Sequence, residues 1–177
     1  MKSFWCAIKS EVVKLRHTPI FLLHIIVPLL GGVLFAMYFH LYSGQQSITQ
    51  RLNLILQATS AFFPLAISIA VSLGINLEEE GHFQALFVGM ESKSKLIIAK
   101  LILFLGIGAV AIVILFLPIL FSVAVVDQEL SISVLNTVLY SYVYIILGNI
   151  VTYIIHFWLS LKSGLGASVI TGVLESL

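Results

Sequence analysis

Glu78-Glu79-Glu80 stand in a row between two long apolar runs, in a chain of 177 residues with only eight acids. Membrane spans exclude charge, so three carboxylates this close together mark a loop in water that a soluble partner could grip. The residues that follow bear on this. From Leu77 the sequence reads LEEEGHFQALFVGMESKSK, and Phe83, Leu86, Phe87 and Met90 recur at i, i+3, i+4 and i+7. That spacing gives a short helix one apolar face. The glutamates fall at or before its N-terminus, where the macrodipole favours negative charge. An acidic, amphipathic helix suits docking into a groove on a partner protein. The alternative is an interfacial helix resting on lipid, and the negative cytoplasmic leaflet counts mildly against it.

Other chemistry is sparse. The chain has no Gly-x4-Gly-Lys-Ser/Thr loop, so ATP binding by a P-loop is excluded. One cysteine, Cys6, cannot form an internal disulfide or supply a zinc site. The histidines are His17, His24, His40, His82 and His156, with no HExxH and no close pair. His17 and His24 share a helix face at a spacing of seven, a weak basis for a metal site. No cofactor is implied. His24 and His156 are the ionisable side chains that fall inside apolar runs, and Asn149 is a mild polar group near the second. These three could line a substrate path or relay. The plainer reading, which we favour for the histidines, is interhelical hydrogen bonding. Acids fall only in loops and near the ends of runs, which weakens a proton-coupled exporter, since such pumps need a carboxylate in the membrane.

The elements that must position these residues follow from composition. The chain is 60% hydrophobic and 10% charged, with mean hydropathy +1.12, against roughly 25% charged residues in soluble domains. This is an all-α integral membrane protein. A net charge of +1 and the lack of an aromatic-basic patch exclude nucleic acid as a partner. Apolar runs near 19–42, 53–77, 96–126 and 134–160 are each long enough to cross a bilayer, which takes about 20 residues. A fifth run starts near Gly164 and is short for a span. The chain therefore reads as a polytopic helix bundle of four full spans and part of a fifth, a single transmembrane domain over 1–177 that is C-terminally incomplete.

Basic residues orient the bundle. Lys2, Lys9, Lys14, Arg16, Lys93, Lys95, Lys100 and Lys162 fall on one side and Arg51 on the other, so the N-terminus and the 78–95 loop are expected in the cytoplasm. Residues 2–17 form an amphipathic interfacial helix, with Trp5, Ile8, Val12 and Leu15 along one face. Lys2, Lys9 and Arg16 form a stripe beside it. With Trp5 and Lys14 these are the candidate membrane-surface anchors. Thr18-Pro19 supplies a cap and a first-turn proline for span one. Pro28, Gly31-Gly32, Pro64 and Gly106-x-Gly108 mark kinks or close packing, and Pro118 is expected to kink the long third run.

Taken together, the basic N-terminus, spans one and two, Leu77-Glu78-Glu79-Glu80-Gly81-His82-Phe83, then Ser92-Lys93-Ser94-Lys95 and Lys100 resemble the ABC-2 type permeases of bacterial exporters. Lys14-Leu15-Arg16-His17-Thr18-Pro19, followed by His24 and Pro28, is similar to the permease subunits of lantibiotic self-protection transporters. The likeness runs from Lys2 to about Ser160. The family normally has six spans, whereas this chain stops within a fifth. The resemblance implies a transport subunit of the bacterial plasma membrane, not an enzyme. A separate cytoplasmic ABC ATPase would push a coupling helix in 78–95, and two permeases, identical or sister subunits, would expel an amphipathic peptide. Glu78, Glu79, Glu80, Gly81, Phe83 and Phe87 would then belong to the ATPase contact. The residues by themselves also allow a non-transporting scaffold or sensor that recruits a cytoplasmic partner through the same loop.

Overall fold

The computed structural model describes residues 2–16, 18–42, 47–80, 93–126 and 131–177. Among the described residues every regular element is helical. Helix α1 covers Lys2–Arg16, α2 Pro19–Leu41, α3 Ile48–Glu80, α4 Lys93–Phe121, and α5 Ile132–Glu175. The helices α2 to α5 are long and apolar enough to cross a membrane.

Local sequence sets the joints. Thr18 takes an extended conformation at the N-cap of α2, with Pro19 entering the helix behind it. Its hydroxyl does not cap α2. It donates to the Leu15 carbonyl at 2.7 Å, so the Thr18 side chain ties the end of α1 to the start of α2. Ser131 caps α5 and accepts from the Val134 N–H. Pro118 lies inside α4, and a few residues later the winding loosens into a π-helical turn over Ser122–Val126. A helix proline is a common origin of such irregularity, because it removes a backbone donor.

Helix α5 is two antiparallel arms. Gly164 has φ 79° and ψ −178°, a region essentially closed to residues with a Cβ. The chain reverses there. His156 and Ser168 come within hydrogen-bond reach at 3.0 Å, although a straight helix would hold them about 18 Å apart. The fifth apolar run read from the sequence is thus the return arm, 165–175, and it packs on α3.

Packing follows the small residues. Helix α2 lies along α4, where Gly32 faces the Leu115 carbonyl and Pro118. Gly74 of α3 faces the Phe104 ring of α4, Gly108 of α4 faces Tyr153 of α5, and Gly172 of the return arm faces Ser68 and the Pro64 carbonyl of α3. In lipid the helices gain little from hiding apolar surface, so close backbone approach supplies much of their attraction. One buried cluster joins Leu15, Ile20, Val71, Phe104 and Tyr153 near the α1 end. A second joins Phe39, Ile55, Ile112 and Phe116 toward the other end. Leu30, Leu34, Tyr144 and Leu147 point outward, as lipid-facing residues should.

Candidate functional site

The two ends of the 78–95 segment enter the described structure as the last turn of α3 and the first turns of α4. Glu78 sits on the inward side of α3 and is buried, while Glu79 is exposed. Lys100 projects from the second turn of α4 and is also buried. Helix α1 packs across α4 and brings Ala7, Glu11 and Leu15 inward on one stripe. Lys14 lies beside that stripe.

These elements converge on four charges. Lys14 Nζ donates to Glu11 Oε1 at 2.7 Å and to Glu78 Oε1 at 2.8 Å. Lys100 Nζ donates to Glu78 Oε1 at 3.0 Å and to the Gly74 carbonyl at 3.4 Å. It also lies 2.8 Å from Glu11 Oε2. Glu11 is only 2% exposed and Lys100 6%. Two acids and two lysines make the knot neutral. Burial disfavours the Lys14 ammonium, but its hydrogen bonds to Glu11 and Glu78 and their charges outweigh this and raise its pKa above the ordinary lysine value. By linkage, a raised lysine stabilises the fold below its unfolded pKa and loses that contribution as pH climbs through the folded value. Lys14 therefore makes its full contribution at neutral pH.

The arrangement does no bond chemistry. It clamps the amphipathic helix to the two helix ends that flank residues 81–92. A displacement of those ends must move α1 or break the pairs, and breaking buried pairs leaves uncompensated charge.

A second polar constellation follows one face of α5, at Asn149, Tyr153, His156 and Ser160. His24 Nδ1 is 2.8 Å from the Ile20 carbonyl, and its Nε2 is 3.2 Å from the Tyr153 hydroxyl. A carbonyl only accepts, so Nδ1 carries the proton and Nε2 accepts from the tyrosine. Ser160 and Ser72 of α3 are 2.9 Å apart. His156 is completely buried, with Nδ1 3.0 Å from Ser168 Oγ and Nε2 3.2 Å from Glu175 Oε2. The Asn149 Nδ2 is buried without an acceptor among the described residues. Tyr153→Phe leaves the His24 ring without its donor and should cost about 1 kcal/mol, the scale of such bonds between membrane helices. A lowered melting temperature in detergent would show it; an unchanged one would mean that the bond carries no stability.

A family model described as ABC-2 family transporter protein matches residues 7–174. The chain belongs to that family. An ABC-2 permease is the membrane subunit of an ABC transporter and works with an ABC ATPase. No curated protein and no solved structure matches the chain.

In this ABC-2 permease the residues singled out from the sequence fall into three places. Gly81, Phe83, Leu86, Phe87 and Met90 lie outside the described residues, as do the side chains of Glu80 and Lys2. Trp5, Lys9 and Arg16 are exposed on α1, on the side away from the bundle. Lys14 and Glu78 meet inside the knot, a contact that neither position announces in sequence. Leu15 was expected beside Trp5 and is instead almost completely buried. At 100° per residue it stands about 80° around the helix from Trp5, far enough to face the core. His24 makes an interhelical bond of the kind favoured from the sequence, to Tyr153 of α5, whereas His156 bonds Ser168 and Glu175 on the return arm of its own helix. The ABC-2 knot also contains Glu11 and Lys100. In the sequence Lys100 counts as one of the orienting basic residues and as part of the ABC-2-like motif, and Glu11 is not singled out. The signal for Glu11 was its place on an i, i+4 stripe with Ala7 and Leu15.

Proposed function

We propose that this chain is the permease subunit of an ATP-driven exporter that expels an amphipathic, lantibiotic-like peptide from the bacterial plasma membrane and so protects the producing cell. Its N-terminus and the 78–95 loop face the cytoplasm. A cytoplasmic ABC ATPase presses on that loop, and the permease acts as one of a pair. The observation that carries the reading is the knot. A loop meant to transmit a push needs both ends fastened to something that can move as a body, and Glu78 and Lys100 fasten these ends to α1 through Glu11 and Lys14. The peptide substrate rests on the resemblance of 14–28 to self-protection permeases.

The knot also dictates how the loop should be tested. Removing all three glutamates would break the buried pairs along with any docking contact. Glu79→Ala with Glu80→Ala spares Glu78. The double variant should keep its melting temperature and recover about tenfold less ATPase when the tagged protein is purified from native membranes, because charge contacts at an interface set partner capture. Undiminished recovery would remove these two residues from the docking surface. Purification of folded wild-type protein with no ATPase at all would favour the scaffold.

A further inference from the structure

Glu175 reads from the sequence as an acid outside every span. The reversal at Gly164 takes it elsewhere. The return arm runs back along α3, and Gly172 lies against Ser68 and the Pro64 carbonyl. Ser68 precedes Glu78 by ten residues, so it stands about 15 Å from the knot along α3. That is half of a hydrocarbon core of about 30 Å. Glu175 lies nearly one turn beyond Gly172, about 20 Å from the knot along α3 and so within a core of that thickness counted from the knot. Its Oε2 is 3.2 Å from His156 Nε2, and the Glu175 side chain is 33% exposed.

Among the described residues no lysine or arginine is paired with Glu175. Lys14 and Lys100 are committed to the knot, and Lys162 lies 4.8 Å from the centre of the Trp158 ring. Among the described residues, the side chain that hydrogen-bonds Glu175 is His156. The Ser168 hydroxyl can donate to Nδ1, which leaves Nε2–H to donate to the carboxylate. The ring therefore holds one carboxylate oxygen and fixes the direction of the other. An acid at this depth is costly in hydrocarbon and marks a site that expects a partner of opposite sign.

We propose that Glu175, positioned by His156, receives the positively charged group of the cargo, an ammonium or guanidinium on an amphipathic molecule. The assignment as a cargo site rests on the exporter reading above. Asn149 extends it. This residue sits seven positions before His156 on the same face of α5, about 10 Å along the axis, and its buried Nδ2 has no acceptor among the described residues. A ligand with a carbonyl at that distance from its cation, as a peptide has, satisfies both ends. His156 is a positioning residue and Glu175 is the binding group.

The test uses the full chain in nanodiscs of phosphatidylcholine, whose zwitterionic surface has no net charge of its own to attract the probe. The probes are a fluorescent long-chain alkylamine and its N-acetylated analogue, equal in chain length and differing in charge. Wild type should bind the amine about tenfold more tightly than the acetylated form, as a charge pair in low dielectric requires. Glu175→Gln should erase that difference and leave binding of the acetylated probe alone. Glutamine keeps an acceptor for His156 Nε2–H, so the arm stays docked; unchanged helicity and a monodisperse elution profile would verify it. Ser168→Ala loosens the arm without touching charge, and the amine preference should survive. No preference in wild type, a preference that persists in Glu175→Gln, or its full loss in Ser168→Ala would each overturn the proposal. The two readings separate cleanly. An ATPase that co-purifies while wild type ignores the amine's charge removes the cation site and leaves the exporter. A charge preference without any ATPase keeps the cation site and removes its role in export.

Discussion

Replacing Lys100 with methionine should remove about 3–5 kcal/mol from the folded bundle, the scale for breaking a buried ion pair on one side. Adding Glu11→Gln to the same chain should restore most of it. The reason is a count of charges in a small buried volume. Wild type sets Lys14 and Lys100 against Glu11 and Glu78 at separations of 2.7–3.0 Å. Without Lys100, two carboxylates share one ammonium, and Glu11 has almost no water within reach. The second substitution returns the site to neutrality, with Lys14 still paired to Glu78. Unfolding midpoints in a mixed-micelle denaturant series would measure both steps, and the double variant should stand close to wild type. A double variant as unstable as the single one would show that Lys100 acts through packing of its alkyl stem and not through charge.

Gly32→Ala should cost about 3 kcal/mol, toward the upper end for inserting one methyl into a packed core, whereas Gly106→Ala should be neutral or slightly stabilising. Both are glycines in transmembrane helices, and composition does not distinguish them. A Cβ on Gly32 would run into the carbonyl oxygen of Leu115 and lie 3.2 Å from both the Leu115 carbonyl carbon and Pro118 Cδ. The backbone and a proline ring cannot rotate away. A Cβ on Gly106 meets nothing within 4 Å. Gly74→Ala and Gly108→Ala should fall between, since their obstacles are the Phe104 ring and the Tyr153 side chain, which can give. Melting temperatures of the four single variants rank the sites. Equal loss at Gly32 and Gly106 would sink the assignment of α2–α4 as a close backbone contact.

Much of the scaffold was legible in the sequence because hydrocarbon imposes one rule. A helix that crosses must be apolar for about 20 residues, so the spans near 19–42, 53–77 and 96–126 showed themselves without any knowledge of packing. Thr18-Pro19 marked the start of α2 because a proline fits the first turn of a helix without losing a backbone hydrogen bond. His24 could be read as an interhelical hydrogen-bonding group from its type alone. The knot could not be read. Glu11 looks like one more surface acid on an amphipathic helix, and nothing near it in sequence names Lys100. Helical spacing states which residues share a face. It does not state which other helix that face will meet. Glu175 was missed for a related reason. The break at Gly164 was visible, but the depth to which the return arm carries its acid depends on Gly172 fitting against Pro64 and Ser68, a contact between segments far apart in the chain.

The span of the knot along the chain also bears on how the protein is made. Glu78 follows Lys14 by 64 residues, and Lys100 follows Glu78 by 22. At about 5–20 residues per second, α1 leaves the ribosome many seconds before Lys100 exists. Its inward acid has no counter-charge from α4 in that interval. The helix must wait at the membrane surface, with Glu11 in water, until α3 and then α4 have been inserted. The clamp closes only once α4 is in place. Helix α1 thus takes its final place after two helices made later than itself, and its docking reports that both have reached theirs.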